Sequence, residues 1–153
     1  MSVSSMLKGH DLFGALPLEE VNRIDSFSSL KTFAKGECVY ACDGVASHVF
    51  VLVEGQVVLK LPARAGQAAL VIARAEKGEL FGLVPLLEME RYTVTAECIG
   101  PCSVLAVEAA PLLEVLKRNP GVAREVMTHA AKAYYTRYVE ALKLLQNALG
   151  RID

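Results

Sequence analysis

The chain has 153 residues with 16 Lys+Arg against 17 Asp+Glu, a formal net charge of −1, and a pI near 6.3. That length fits one compact domain and leaves no room for a second large one. With 53% hydrophobic residues and a mean hydropathy of +0.35, disorder of the whole chain is excluded, and the missing basic excess argues against holding nucleic acid mainly by phosphate neutralisation.

Residues 1–30 read as an N-terminal helical segment. Met1–His10 lacks the basic start and apolar run of a signal peptide, and no apolar stretch approaches the roughly 20 residues of a membrane span. A soluble, cytoplasmic chain without membrane contact is expected. Leu16-Pro17-Leu18-Glu19-Glu20 starts a helix with proline and acids in its first turn, continued by the apolar stripe Val21, Ile24 and Phe27.

Residues 31–108 read as β structure. Gly36, Gly44, Gly55, Gly66 and Gly78 are spaced 8, 11, 11 and 12 residues apart, as expected of strands joined by turns. Between them lie Glu37–Ala41, His48–Val53, Gln56–Leu61 and Ala68–Ala75, rich in β-branched and aromatic residues. The Glu54-Gly55 connection predicts a hairpin between the second and third of these, and Pro62–Gln67 a longer loop before the fourth. Tyr92–Glu97 and Ser103–Val107 follow as further strands, separated by Gly100-Pro101.

Residues 109–153 read as helices. Ala110–Lys117 is a short helix ended by Arg118-Asn119-Pro120. Asn119 is then placed to cap a new helix with Pro120 at its first position, unbroken until Gly150. Ala131, Tyr135, Tyr138, Leu142, Leu145 and Leu149 recur along it at intervals of 4, 3, 4, 3 and 4, a coiled-coil average. A helix of about 29 residues reaches roughly 43 Å, beyond the width of so small a domain, so pairing with the same helix of a second copy is expected. The same spacing also allows an amphipathic helix folded wholly back on its own β domain.

One stretch, within residues 78–96, is suited to binding. Gly78 and Gly82 bracket Phe81, and Leu83–Leu87, with Val84 and Pro85 inside it, forms one helical turn. A turn opening from glycine directs backbone N–H groups outward and favours an anion. Arg91, Tyr92 and Thr93 follow on the return loop, where a guanidinium and two hydroxyls are placed to meet the same ligand. A plain corner of the β structure, with Phe81, Leu86 and Leu87 in the core, fits the spacing as well.

The order of these elements, together with Leu12-Phe13, Leu16, Lys35-Gly36-Glu37, Asp43-Gly44, Glu54-Gly55, Gly78-Glu79-Leu80-Phe81-Gly82 and Asn119-Pro120, resembles the cyclic nucleotide-binding domain of the catabolite activator/FNR superfamily over roughly residues 10–149. The resemblance implies an α+β fold: a mainly antiparallel β-roll, or double-stranded jelly roll, flanked by N-terminal helices and a long C-terminal helix. It also implies where a ligand would sit. In members that bind cyclic AMP or cyclic GMP, a Glu after Phe-Gly holds the ribose hydroxyl and an Arg pairs with the cyclic phosphate. Here Leu83 stands at the Glu position, Tyr92 at the Arg position and Arg91 one residue earlier.

An unpaired ribose hydroxyl costs about 1–3 kcal/mol, and the lost phosphate contact about as much again, so tight cyclic AMP binding is not expected. The candidate ligand-binding set is Phe81, Gly82, Leu83, Val84, Arg91, Tyr92 and Thr93, with Tyr138 stacking from the terminal helix, which covers the mouth of the roll in this architecture. A cyclic nucleotide or another small anionic ligand is the candidate occupant. The resemblance further implies a non-enzymatic regulatory domain that lacks the helix-turn-helix of family regulators. Residues 121–153 hold five Arg/Lys and three acids, too weak an excess for direct DNA binding. The alternatives are a ligand-free interaction or structural module, or a weak cyclic nucleotide binder acting with a separate DNA-binding partner.

Nothing catalytic emerges. His10, His48 and His129 share no spacing, and no Gly-x-Ser-x-Gly, His-Glu-x-x-His or Walker-type loop is present. Cys38-x3-Cys42 and Cys98-x3-Cys102 leave a four-thiolate zinc site or a disulfide open, since residues i and i+4 share one side of a strand. Core or loop thiols are the preferred reading, and no metal is assigned.

Overall fold

The computed structural model describes residues 2–150; Met1 and Arg151–Asp153, of which Arg151 and Asp153 entered the charge count above, lie outside the described residues. Among the described residues eight strands form two antiparallel four-stranded sheets, ordered β1-β8-β3-β6 and β2-β7-β4-β5. The strands are β1 (Ser28–Phe33), β2 (Cys38–Tyr40), β3 (His48–Glu54), β4 (Val57–Leu61), β5 (Leu70–Ala75), β6 (Leu80–Phe81), β7 (Thr95–Cys98) and β8 (Cys102–Glu108). Helices α1 (Val3–Lys8) and α2 (Leu18–Ser26) precede them, and α3 (Ala109–Arg118) and α4 (Pro120–Leu149) follow. This is the α+β roll with flanking helices that the sequence implies.

Two apolar cores explain why β3 reads as an unbroken apolar run. Val49 and Val51 face outward onto the helices, packing with Leu7, Phe13, Ile24, Leu105 and Leu112, while Phe50 and Leu52 face into the roll with Leu59, Phe81, Val104 and Ala106. Strand alternation thus divides one segment between two buried faces. The second sheet is covered on its inner face only, and β5 carries exposed Leu70 and Val71.

The Glu54-Gly55 connection is not the expected hairpin. β3 pairs with β6 and β8, and β4 pairs with β5 and β7, so the chain turns a corner between sheets at Gly55. A bulge between Leu52 and Glu54 prepares the turn. Gly55 has φ +94, and a Cβ there would lie 2.5 Å from the Pro101 carbonyl oxygen and 2.9 Å from Cys102 Sγ; the corner closes because this position has no side chain. The true hairpin joins β4 to β5, closed by mutual Arg64–Gln67 backbone hydrogen bonds of 3.1 and 2.8 Å.

α2 starts with Pro17 ahead of it and Glu19 and Glu20 in its first turn, burying Val21 and Ile24. α4 starts at Pro120, but Asn119 does not cap it with its side chain. Instead Asn119 Nδ2 donates to Glu20 Oε2 (2.5 Å) and to the Val115 carbonyl (2.8 Å). Arg118 adds two bonds of 3.3 and 3.2 Å to the same carboxylate, which holds the Glu20 carboxyl below the usual range. The α2, α3 and α4 junction is therefore tied through one buried acid.

Candidate functional site

The segment after β6 is built as a tight corner. Phe81 pairs with Phe50 across β3 and β6, and Gly82 follows with φ +66. Val84–Leu87 form a single 3-10 turn that contains Pro85 and is closed by Glu88 in the left-handed region. Pro85 fits because the first turn leaves its missing donor unneeded. The return loop is then zipped to residues 43–46: Ala46 N–H donates to Glu90, Tyr92 N–H to Gly44 and Asp43 N–H to Tyr92, at 2.9, 3.0 and 2.9 Å.

What lies against Gly82 is aromatic. A Cβ on this glycine would sit 2.8 Å from Phe50 Cδ2 and 3.0 Å from Tyr40 Cε2. The Tyr40 ring stacks on Tyr92 with centroids 3.9 Å apart and 21° between planes, and lies 5.5 Å from Phe50. Phe50 in turn is 5.4 Å from Phe81. Tyr134 of α4 packs against both this interior and the outer core. Burial pushes the Tyr40 hydroxyl far above the ordinary phenol value, with neighbouring Tyr134 adding to the shift and the Arg137 guanidinium opposing it.

The predicted ligand residues divide between inside and outside. Phe81, Leu83, Val84 and Tyr92 are buried, Leu83 within the outer core beside the helices. The Tyr92 hydroxyl donates to the His48 carbonyl (2.6 Å) and accepts the His48 N–H (3.3 Å); burial raises its pKa as well. Arg91 and Thr93 are exposed. Arg91 Nη1 donates to the Asp43 carbonyl at 3.2 Å, and its side chain lines an outer groove of about 620 Å³ shared with His48, Pro85, Glu88 and Glu108.

A family model for the cyclic nucleotide-binding domain matches residues 30–119. The chain belongs to that family. It is 25% identical over 126 residues to the cyclic AMP receptor protein of Thermus thermophilus, covering 82% of this chain and 58% of that protein. The Thermus thermophilus catabolite activator protein superposes with a TM-score of 0.70 at 25% identity, over 88% of this chain and 62% of its own. The sensor domain of the transcriptional regulator DNR from Pseudomonas aeruginosa gives 0.76 at 18% identity, over 90% and 91% of the two chains, a likeness of fold alone. The chain thus spans under two thirds of the Thermus receptor's length.

In this cyclic nucleotide-binding domain α4 serves two surroundings. Its first half packs on the core through Val126 and Ala130, whereas residues 140–150 are all exposed, so the helix does not fold wholly back on the roll. Ala131, Tyr135, Tyr138, Leu142, Leu145 and Leu149 all lie open to solvent. Tyr138 is 58% exposed with its ring beside Tyr135; it is Tyr134, capped by Arg137 with Cζ 5.1 Å from the ring centroid, that reaches the roll. Tyr134 fits the packing role that the long helix's Tyr134, Arg137 and Tyr138 suggest in the sequence, whereas Tyr40 and Phe50 were not singled out there. The available signal was an aromatic at an inward strand position in both Glu37–Ala41 and His48–Val53.

All four cysteines are free thiols, Cys38 exposed, Cys42 half-buried, and Cys98 and Cys102 buried. Cys98 ends β7 and Cys102 opens β8 in the opposite sheet, so the pair does not share one strand face. Burial, with Cys102 as neighbour, pushes the Cys98 thiol up to about 12. Among the described residues no group of three or more His, Cys, Asp or Glu side chains is arranged to hold a metal ion, and no helix is long and apolar enough to cross a membrane.

Proposed function

We propose that this chain is a non-enzymatic, cytoplasmic regulatory module whose cyclic nucleotide pocket has been closed by its own side chains, and which signals as a homodimer through α4. One observation carries the reading: Phe50 and Tyr40 occupy the space against Gly82, where the family places a cyclic phosphate. A nucleotide that reached the Gly82 backbone would have to displace aromatic pairs worth about 0.5–1.5 kcal/mol each beyond their burial. It would gain no carboxylate from Leu83 and no guanidinium at Tyr92, contacts worth about 1–3 kcal/mol each. At about 1.4 kcal/mol per factor of ten, the affinity falls by several powers of ten.

Calorimetry against cyclic AMP and cyclic GMP tests this directly. The expected result is no saturable heat below millimolar ligand; micromolar binding of either nucleotide overturns the closed pocket. A second reading, an interaction module that takes no ligand at all, is favoured by the exposed apolar stripe from Tyr135 to Leu149. On either reading the stripe is the output surface, and a ligand acts only through its differential affinity for one packing of α4 against the roll.

A further inference from the structure

A half-open cleft of about 370 Å³ lies between β5, the start of β6 and the middle of α4. Its walls carry Arg74, Lys132, Arg137 and His129, with Glu79 and Glu140 also on the lining. Gly82, Tyr40 and Phe50 do not line it, so this space is separate from the aromatic filling.

Among the described residues Arg74, Lys132 and Arg137 form no ion pair, as is true of several other surface cations such as Lys8, Arg91 and Lys143; what sets these three apart is that they line one concave space. Glu79, whose Oε1 accepts the Glu76 N–H at 2.9 Å, and Glu140 keep their charges but form no ion pair with these cations, so three cations against two carboxylates leave the lining with one positive charge in excess. Arg137 is held in place without an anion: its guanidinium lies over the Tyr134 ring with Cζ 5.1 Å from the centroid, a contact that fixes the cation and leaves its charge in place. The floor between these side chains is small and apolar, formed by Ala73, Ala75 and Ala133. A concave, ligand-sized space with an apolar floor and converging polar groups is the usual form of a small-molecule site.

We infer that this cleft binds a small organic phosphate carrying two or more negative charges, of the nucleoside diphosphate class, with Arg74, Lys132 and Arg137 as its donors. Guanidinium groups bind phosphate oxygens in a paired, directional way, and Lys132 adds a point charge. The inference rests on the sensor reading above and gives it a ligand: a phosphate that bridges Arg74 on β5 to Lys132 and Arg137 on α4 pins the helix against the roll. It would thereby favour one setting of the exposed stripe further along the same helix.

Titration calorimetry and thermal melts of the full chain with inorganic pyrophosphate and with adenosine diphosphate, run beside cyclic AMP, test the site. Saturable binding of both diphosphates is expected, with a raised melting midpoint. Arg74→Gln and Lys132→Gln, both at exposed positions, each weaken it by roughly tenfold or more while leaving the ligand-free midpoint unchanged. No saturable diphosphate binding up to millimolar concentration overturns the inference, and so does binding that survives the double variant. Cyclic AMP heat speaks to the closed pocket alone, so the two readings fail separately.

Discussion

Substituting Gly82 by alanine asks how firmly the roll is filled. The new Cβ would lie 2.8 Å from Phe50 Cδ2, 3.0 Å from Tyr40 Cε2 and 3.3 Å from Phe50 Cε2, closer than side-chain carbons pack. The φ of +66 adds about 1–2 kcal/mol for any residue with a Cβ, and overpacking a closed core adds typically 1–3 kcal/mol. Together these give a loss of about 3 kcal/mol, which for a domain of this size lowers the melting midpoint by roughly 6–12 °C. A double-mutant cycle separates the two contributions. Phe50→Val removes the nearest ring edge, so in that background Gly82→Ala should cost about 1 kcal/mol less, leaving the φ strain and the Tyr40 contact. Chemical denaturation of the four proteins reads the coupling directly. If Gly82→Ala costs no more than the φ strain, or the cycle shows no coupling, the rings yield freely and the pocket is not closed by packing.

Three further outcomes follow from the geometry. Leu83→Glu puts a carboxylate at a position 2% exposed and should cost about 3–5 kcal/mol in urea unfolding; a stable variant that acquires cyclic AMP binding would show that the family pocket is intact beneath it. Leu142→Lys with Leu145→Lys places charges on the exposed α4 stripe and should convert a dimer to a monomer in sedimentation equilibrium without lowering helix content, a result excluded if the wild type is already monomeric at micromolar concentration. The His10 ring, with Nε2 3.0 Å from the Gly78 carbonyl oxygen and Nδ1 accepting the Leu12 N–H, has its pKa lowered chiefly by burial, opposed by the Gly78 hydrogen bond and by Asp11, with His129 lowering it slightly further. The unfolded chain therefore binds a proton more readily, so this contribution to stability is complete above pH about 6.5 and is lost as pH falls toward the folded-state value. Melts from pH 7.5 to 5 should show a falling midpoint that His10→Asn flattens, and an unchanged slope in the variant would remove His10 as its source.

The sequence carried the element order well because the signals were local. The glycine spacing placed β2 to β5, and Asn119-Pro120 placed the start of α4 to the residue. What it did not carry depended on partners distant along the chain. β1 (Ser28–Phe33) has an intermediate-to-exposed pattern with little apolar alternation and is held as a strand by its pairing with β8. The two-residue β6 exists only through its pairing with β3. At Gly55 a dipeptide that commonly marks a hairpin instead turned a corner, because the requirement came from Pro101 and Cys102 packing beneath it.

The site shows the same limit at the level of chemistry. Leu83 and Tyr92 were readable as departures, since each replaces a residue whose charge the family uses. The filling was not readable, because Tyr40 comes from one sheet and Phe50 from the other, and only the closed roll brings both rings to Gly82. A glycine with positive φ tells a reader that something approaches the backbone closely there; whether a phosphate or a ring does so is decided by side chains some 30 to 40 positions earlier. If Tyr40 and Phe50 close the pocket as proposed, the missing carboxylate and guanidinium need not be defects in a binding site. Leu83 is an apolar residue in an apolar core, and Tyr92 is a ring in a stack whose hydroxyl is satisfied by His48. On the proposed reading of a closed pocket, Leu83, Tyr92 and the filling belong together. Reversing any single one should damage the fold before it restores a ligand, so recovery of nucleotide binding would require changes at all four positions together.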